Sequence, residues 1–155
     1  MAMDFTHMSA LNILLVDDDR NLAITLSAGL RKAMGEAISA AICFGGPEAL
    51  SMLRTQRFDV VISDLNMPGI GGLEFLDKVW QDHPETTLVL ITAYGTEALE
   101  EEMHRLGIGY ITKPFEPSRL VHIIHDLIRG KGSNDGTKIA PRILHSDGNA
   151  DPAVL

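Results

Sequence analysis

The fold is decided by the stretch FDVVISDLNMPG, residues 58–69. Its apolar run Val60-Val61-Ile62 is typical of a strand that is buried on both faces. The run ends on a carboxylate, Asp64, and the turn-forming residues Asn66, Pro68 and Gly69 follow. Because ligands of open α/β sheets bind beyond the carboxyl ends of the strands, the question is what Asp64 faces.

The rest of the chain repeats the same pattern of a short apolar segment followed by a helical one. Strands are predicted over residues 11–16, 37–44, 60–64, 87–91 and 110–112. Helices are predicted over residues 20–34 and 72–82, and from about Pro47, Thr96 and Pro117. Five consecutive βα units with buried strands imply a parallel sheet with helices on both faces.

Length and composition indicate one ordered domain with tails. The chain has 155 residues, and we assign 1–10 to an N-terminal extension, 11–129 to the domain and 130–155 to a polar tail or linker. A formal charge of −8 argues against direct nucleic-acid binding. The single cysteine, Cys43, fits a reducing compartment, and neither a signal peptide nor a membrane-spanning run is evident. We therefore expect a cytoplasmic protein.

Reactive side chains follow four of the five predicted strands. They are Asp17 and Asp18, Asp64, Thr92 and Lys113. In a parallel sheet these strand ends share one edge, so the three carboxylates should crowd together. Two carboxylates ~4 Å apart repel by ~4 kcal/mol at an effective dielectric of ~20. A divalent cation relieves this repulsion, and oxygen ligands with waters suit Mg²⁺.

This arrangement predicts phosphoryl-transfer chemistry at Asp64. With one oxygen on Mg²⁺, its carboxylate has a second oxygen available as a nucleophile toward phosphorus. The charge on the phosphoryl oxygens would then be met by Mg²⁺, the Lys113 ammonium and the Thr92 hydroxyl, with help from a backbone N–H such as that of Ala93.

The strand-end motifs, taken in chain order, resemble the receiver domain of bacterial two-component response regulators, in particular the single-domain chemotaxis regulator. The motifs are Val16-Asp17-Asp18, Val61 to Gly69, Ile91-Thr92-Ala93 and Lys113-Pro114-Phe115. The resemblance covers roughly residues 12–129. It implies a flavodoxin-like (βα)5 sheet with strand order 2-1-3-4-5, and an aspartyl-phosphate on Asp64 that is received from a sensor histidine kinase or a histidine phosphotransfer protein.

The resemblance also implies roles for individual residues. Mg²⁺ would be held by Asp17 (through water), Asp18, Asp64 and the Asn66 backbone carbonyl. Thr92 and Tyr110 would move together on phosphorylation, and Lys113-Pro114 would be a cis peptide. Asn66 and Tyr94 occupy the two positions that tune dephosphorylation in the family. Helix 4, strand 5 and helix 5 would form the surface that controls a downstream protein target, or that forms a homodimer.

One stretch departs from the family pattern. Where the family often has Gly-x-Asp-Gly, this chain has Gly69-Ile70-Gly71-Gly72, which predicts a looser loop without a change in chemistry.

Other interpretations of the same residues remain open. Asp19 is best explained as a helix cap. An aspartate-nucleophile phosphatase would need an acid at Asn66, and a flavin-binding module of similar topology would not place three acids after strand 1. On this basis we expect no enzyme activity beyond the chain's own phosphorylation and dephosphorylation. The alternative to a stand-alone signalling protein is a receiver fragment of a larger hybrid kinase or transcriptional regulator, acting mainly as an interaction domain.

Overall fold

Every predicted strand is followed by a helix in the computed structural model, which describes residues 9–131. The strands are β1 (Leu11–Val16), β2 (Ile38–Cys43), β3 (Val60–Asp64), β4 (Thr87–Thr92) and β5 (Gly109–Thr112). The α-helices are α1 (Arg20–Met34), α2 (Gly46–Thr55), α3 (Gly72–Asp82), α4 (Glu97–Arg105) and α5 (Pro117–Lys131). Most of the predicted N-terminal extension and of the predicted tail lies outside the described residues.

The five strands form one parallel sheet in the order β2-β1-β3-β4-β5, which confirms the predicted topology. The register aligns the strand ends: Val16 pairs with Cys43, Asp64 with Ile91, and Thr92 with Thr112. The carboxyl ends of all five strands therefore meet at one edge, as the sequence predicts.

Two hydrophobic layers sandwich the sheet. Alternate side chains of β1, β3 and β4 point to opposite faces, so Leu14 and Leu15 belong to different layers. The helices α1 and α5 cover one face, and α2, α3 and α4 cover the other. The central strands β3 and β4 are buried along their full length, which explains their continuous apolar sequences.

Several element boundaries differ from prediction. A short 3₁₀ turn, Gly35–Ala37, precedes β2, so this strand begins at Ile38 and not at Ala37. Gly35 has a φ of 56°, which suits glycine at a helix end. The last helix continues to Lys131, two residues beyond the domain end predicted at Arg129. Among residues 9–131, no helix is both long enough and apolar enough to cross a membrane.

Candidate functional site

Three carboxylates converge at the carboxyl edge of the sheet. One oxygen each of Asp17, Asp18 and Asp64 lies within 4.8 Å of the other two. Asp17 follows β1 directly and Asp64 ends β3, and both are buried, with 3% and 6% of their surface exposed. Asp18 is exposed. The topology thus brings together the acids that the sequence predicts as a cluster.

Lys113, which follows β5, balances part of this negative charge. Its ammonium nitrogen lies 3.0 Å from Asp64 Oδ1 and 3.3 Å from Asp17 Oδ2. Burial alone would lower the pKa of Lys113, but the interactions with Asp64 and Asp17 outweigh it, so that the pKa is raised. The lysine is therefore held charged between the two buried aspartates. The peptide bond between Lys113 and Pro114 is cis, as predicted.

Asp17 is the most constrained of the three acids. Its Oδ1 accepts a hydrogen bond of 2.9 Å from the backbone N–H of Asp19, whose own side chain accepts from the N–H of Leu22 and caps α1. Burial, together with the nearby charge of Asp64, raises the pKa of Asp17, although the Asp19 hydrogen bond and Lys113 oppose this. The prediction that Asp19 caps the helix is confirmed.

Thr92 lies at the end of β4 with no exposed surface. Its Oγ1 accepts a 3.1 Å hydrogen bond from the backbone N–H of Tyr94, and its carbonyl accepts one of 2.8 Å from the backbone N–H of Lys113. These contacts tie the β4–α4 loop to the end of β5. Tyr94 itself is 82% exposed, so its ring projects into solvent beside this edge.

Tyr110 is buried in the middle of β5, on the face that α4 covers. Only 8% of its surface is exposed, and it belongs to the same apolar cluster as Met103 of α4 and Leu106, which directly follows α4. Burial, and to a smaller extent the charge of Glu100, raises the pKa of its phenol. Tyr110 is thus part of the apolar core, and its hydroxyl lies against Gly95 of the β4–α4 loop.

The loop after β3 carries Asn66, whose side chain is exposed. Gly69 has a φ of 79°, a conformation that favours glycine. Gly71 is the N-cap of α3, at the position where the family often has aspartate. Because glycine has no side chain, no side-chain hydrogen bond caps the helix. The departure from the family pattern is therefore visible as an uncapped helix start.

Gly72 is a residue of this site whose role the sequence did not suggest. A Cβ at this position would overlap the carbonyl oxygen of Asp64 and lie 2.7 Å from the Cα of Leu65. Its N–H donates a 2.9 Å hydrogen bond to the carbonyl of Leu65. The absence of a side chain thus lets α3 begin directly against the end of β3. A glycine at the first position of a helix, where the backbone does not need one, is the signal that could have revealed this contact.

The donor set fits a hard divalent cation. Carboxylate oxygens are the ligands that Mg²⁺ prefers, and opposite ligands of a Mg²⁺ ion lie roughly 4 Å apart. The three carboxylates already lie close to this spacing, and the exposed Asp18 leaves one side open to water. The arrangement could hold a metal ion at this edge of the sheet.

Comparison with known proteins agrees with the fold. The family model of the response regulator receiver domain matches residues 13–125. The chain belongs to this family. The resemblance stated from the strand-end motifs is therefore confirmed, and the sheet is that of a receiver domain of a two-component response regulator.

Related receivers are found in proteins of different lengths. The chain is 33% identical over 143 residues to the response regulator protein FleR of Pseudomonas aeruginosa. This match covers 84% of this chain and 28% of FleR. It is 30% identical over 127 residues to the response regulator UvrY of Escherichia coli. This match covers 78% of this chain and 56% of UvrY. The chain therefore spans about half or less of the length of these relatives.

Solved receiver structures superpose closely. The chemotaxis response regulator CheY4 of Vibrio cholerae matches with a TM-score of 0.66 at 29% identity, covering 76% of this chain and 98% of CheY4. A signal receiver domain of an HD domain-containing protein from Pseudomonas fluorescens matches with a TM-score of 0.70 at 24% identity, covering 81% of this chain and 99% of that domain. The second likeness concerns the fold alone.

Proposed function

We propose that this receiver accepts a phosphoryl group on Asp64 from a phosphohistidine of a sensor kinase or phosphotransfer protein. A carboxylate oxygen of Asp64 forms the new bond to phosphorus, and the phosphorus–nitrogen bond of the donor breaks. The donor histidine takes up one proton from solvent and leaves as a neutral imidazole. The single observation that carries the proposal is the 3.0 Å contact between Asp64 and a charged lysine inside a cluster of three acids.

Lys113 and Thr92 are the groups proposed to meet the transferred phosphoryl oxygens. The ammonium already touches Asp64, so it can follow the charge from the carboxylate to the phosphoryl group without a long movement. The Thr92 oxygen accepts from the Tyr94 N–H, which leaves the hydroxyl proton available as a donor. Thr92 ends β4 and Lys113 follows β5. Both strands belong to the same sheet as β3, so the sheet holds the two backbones in place.

Asp17, Asp18, Asp64 and the Asn66 carbonyl are proposed to hold Mg²⁺. The ion would supply charge neutralisation for the phosphoryl oxygens. The two buried acids provide fixed oxygens, and the exposed Asp18 provides one that faces water. Asn66 and the exposed Tyr94 flank the site and are proposed to tune how quickly water removes the phosphoryl group.

The proposed output is a change in the surface formed by α4, β5 and α5. The β4–α4 loop connects Thr92 to Tyr110: the Thr92 hydroxyl oxygen accepts from the N–H of Tyr94, and the Tyr110 hydroxyl lies against the next residue, Gly95. This supports the expectation that Thr92 and Tyr110 move together. A downstream protein target would recognise the changed surface, and a homodimer through the same surface is one form this output could take. The proposed chemistry is confined to the chain's own phosphorylation and dephosphorylation.

The experiment is phosphorylation of the wild-type chain and of the Asp64→Asn variant by acetyl phosphate with Mg²⁺, followed by intact mass. We expect one added phosphoryl group in the wild type and none in the variant. Asp59→Asn is the matched control, because Asp59 directly precedes β3, at the end of the strand opposite to Asp64. Equal labelling of wild type and Asp64→Asn would refute the proposal.

A further inference from the structure

The β4–α4 loop contains a glycine that its own backbone does not require. Gly95 is exposed on its outer side and does not have a positive φ, unlike Gly35, Gly69 and Gly107. Most residues could adopt its backbone conformation. The reason for a glycine at this position must therefore come from what lies beneath it.

Tyr110 lies beneath this glycine. A Cβ built on Gly95 would overlap the Tyr110 hydroxyl oxygen and lie 3.0 Å from the ring carbon Cζ that carries it. It would also lie 2.9 Å from Cγ2 of Thr112, the exposed residue two positions further along β5. The tip of the Tyr110 side chain thus occupies the space in which any other residue at position 95 would place its first side-chain carbon.

The ring of Tyr110 cannot retreat further into the protein to make room. Its inner side packs in the cluster that contains the buried Met103, Leu106 and Ile108. Interiors are packed too densely to admit a phenol ring that shifts inward by the radius of a methyl group. The remaining direction is outward, past α4 and into solvent.

We propose that Gly95 is the steric gate of Tyr110: the missing side chain lets the tyrosine occupy the interior, and any added Cβ drives it to an outward rotamer. Gly95 is then a positioning residue. Its influence on signalling rests on the proposed function, in which Tyr110 couples the phosphorylated site to the surface formed by α4, β5 and α5.

The first test measures the accessibility of Tyr110 directly. The chain contains two tyrosines, so Tyr94→Phe leaves Tyr110 as the only one. In this background we compare nitration by tetranitromethane in the presence and absence of Gly95→Ala. We expect nitration of Tyr110 to become about tenfold faster, the factor that ~1.4 kcal/mol against the inward rotamer produces. Gly130→Ala is the matched control, since a Cβ there meets no atom of the described residues within 4 Å.

The second test is a double-mutant cycle, which remains informative if Gly95→Ala fails to fold. Tyr110→Leu removes the hydroxyl and the ring carbon that the new methyl would meet. We expect Gly95→Ala to lower the melting temperature in the wild-type background and to do so much less in the Tyr110→Leu background. Loss of folding in the single variant with recovery in the double variant supports the gate equally.

Two results would overturn the proposal. One is unchanged nitration of Tyr110 in Gly95→Ala, which would mean that the loop moves and the tyrosine stays. The other is an equal effect of Gly95→Ala with and without Tyr110→Leu, including failure of both variants to fold. Intact mass of the wild type after acetyl phosphate and Mg²⁺, measured in parallel, addresses the proposed function separately. Absence of an added phosphoryl group contradicts the proposed function, whereas the nitration and melting data decide on Gly95.

Discussion

Replacing Lys113 by methionine tests how the buried acids are held in the resting protein. The ammonium lies 3.0 Å from Asp64 Oδ1 and 3.3 Å from Asp17 Oδ2, and each contact is worth ~5 kcal/mol at an effective dielectric of ~20. The cost of desolvating the lysine offsets much of this sum. Since loss of one partner from a buried pair costs about 3–5 kcal/mol and the Lys113 side chain is 20% exposed, we expect a loss of ~3 kcal/mol.

The assay is thermal and urea unfolding at pH 7 in EDTA, followed by Mg²⁺ titration. For a domain of this size ~3 kcal/mol corresponds to a drop of roughly 10 °C in melting temperature. The pKa of Lys113 is raised in the folded protein, so this stabilisation is fully present at pH 7 and is lost only as the pH rises through that raised value. Lys78→Met, an exposed lysine of α3, is the matched control.

Magnesium provides the second part of this test. Without the ammonium, the acidic cluster carries one more uncompensated negative charge, so added Mg²⁺ should raise the melting temperature of Lys113→Met more than that of the wild type. The reasoning is wrong if Lys113→Met is as stable as the wild type in EDTA. It is also wrong if the Mg²⁺-induced rise is the smaller one in the variant.

Three further predictions concern neighbouring features. Gly72→Ala should destabilise the protein by several kcal/mol and abolish labelling by acetyl phosphate, because its Cβ would overlap the Asp64 carbonyl. Unfolding and intact mass measure this, and Gly130→Ala, which adds a Cβ in α5 without meeting any described atom, should not destabilise the protein. Asp18→Asn should slightly raise the melting temperature in EDTA by relieving repulsion and should reduce the rise on adding Mg²⁺; a rise equal to that of the wild type would remove Asp18 from the metal site. Cys43 is fully buried and burial raises its pKa to about 11, so native protein at pH 8 should resist iodoacetamide until guanidinium unfolds it, and rapid native alkylation would contradict this packing. Because the pKa of the thiol is raised in the folded protein, the unfolded chain loses this proton first. The contribution of Cys43 to the free energy of unfolding therefore falls as the pH rises from about 9 to 11.

The parts of the site that the sequence predicted are those that follow from topology. Once five βα units are recognised, the residues after the strands must share an edge, even when they are as distant in sequence as Asp17 and Lys113. Their residue types then indicate the chemistry. The same argument predicts the strand order only with the help of the family resemblance, because alternation alone does not fix which strands are neighbours.

The parts that the sequence did not predict depend on close approach between backbone and side chain. Gly72 and Gly95 look like ordinary turn residues in the sequence, and only the packed structure places one against Asp64 and the other over Tyr110. Periodicity also does not distinguish the adjacent acids: Asp17 is 3% exposed and held by two neighbours, whereas Asp18 is exposed. This asymmetry arises because the sheet still holds Asp17, whereas the chain has left the sheet at Asp18.

The charge of the site supports a single divalent cation and a single phosphoryl group. Three carboxylates and one ammonium leave a formal charge of −2 within a few ångströms, and one Mg²⁺ would bring this to zero. Transfer to Asp64 replaces a carboxylate by a phosphoryl dianion and adds one negative charge, which the ion and Lys113 would share. A second cation would leave an excess of positive charge beside the lysine. A binding stoichiometry of two Mg²⁺ ions per chain by calorimetry, with Asp64→Asn abolishing neither, would therefore contradict this electrostatic account.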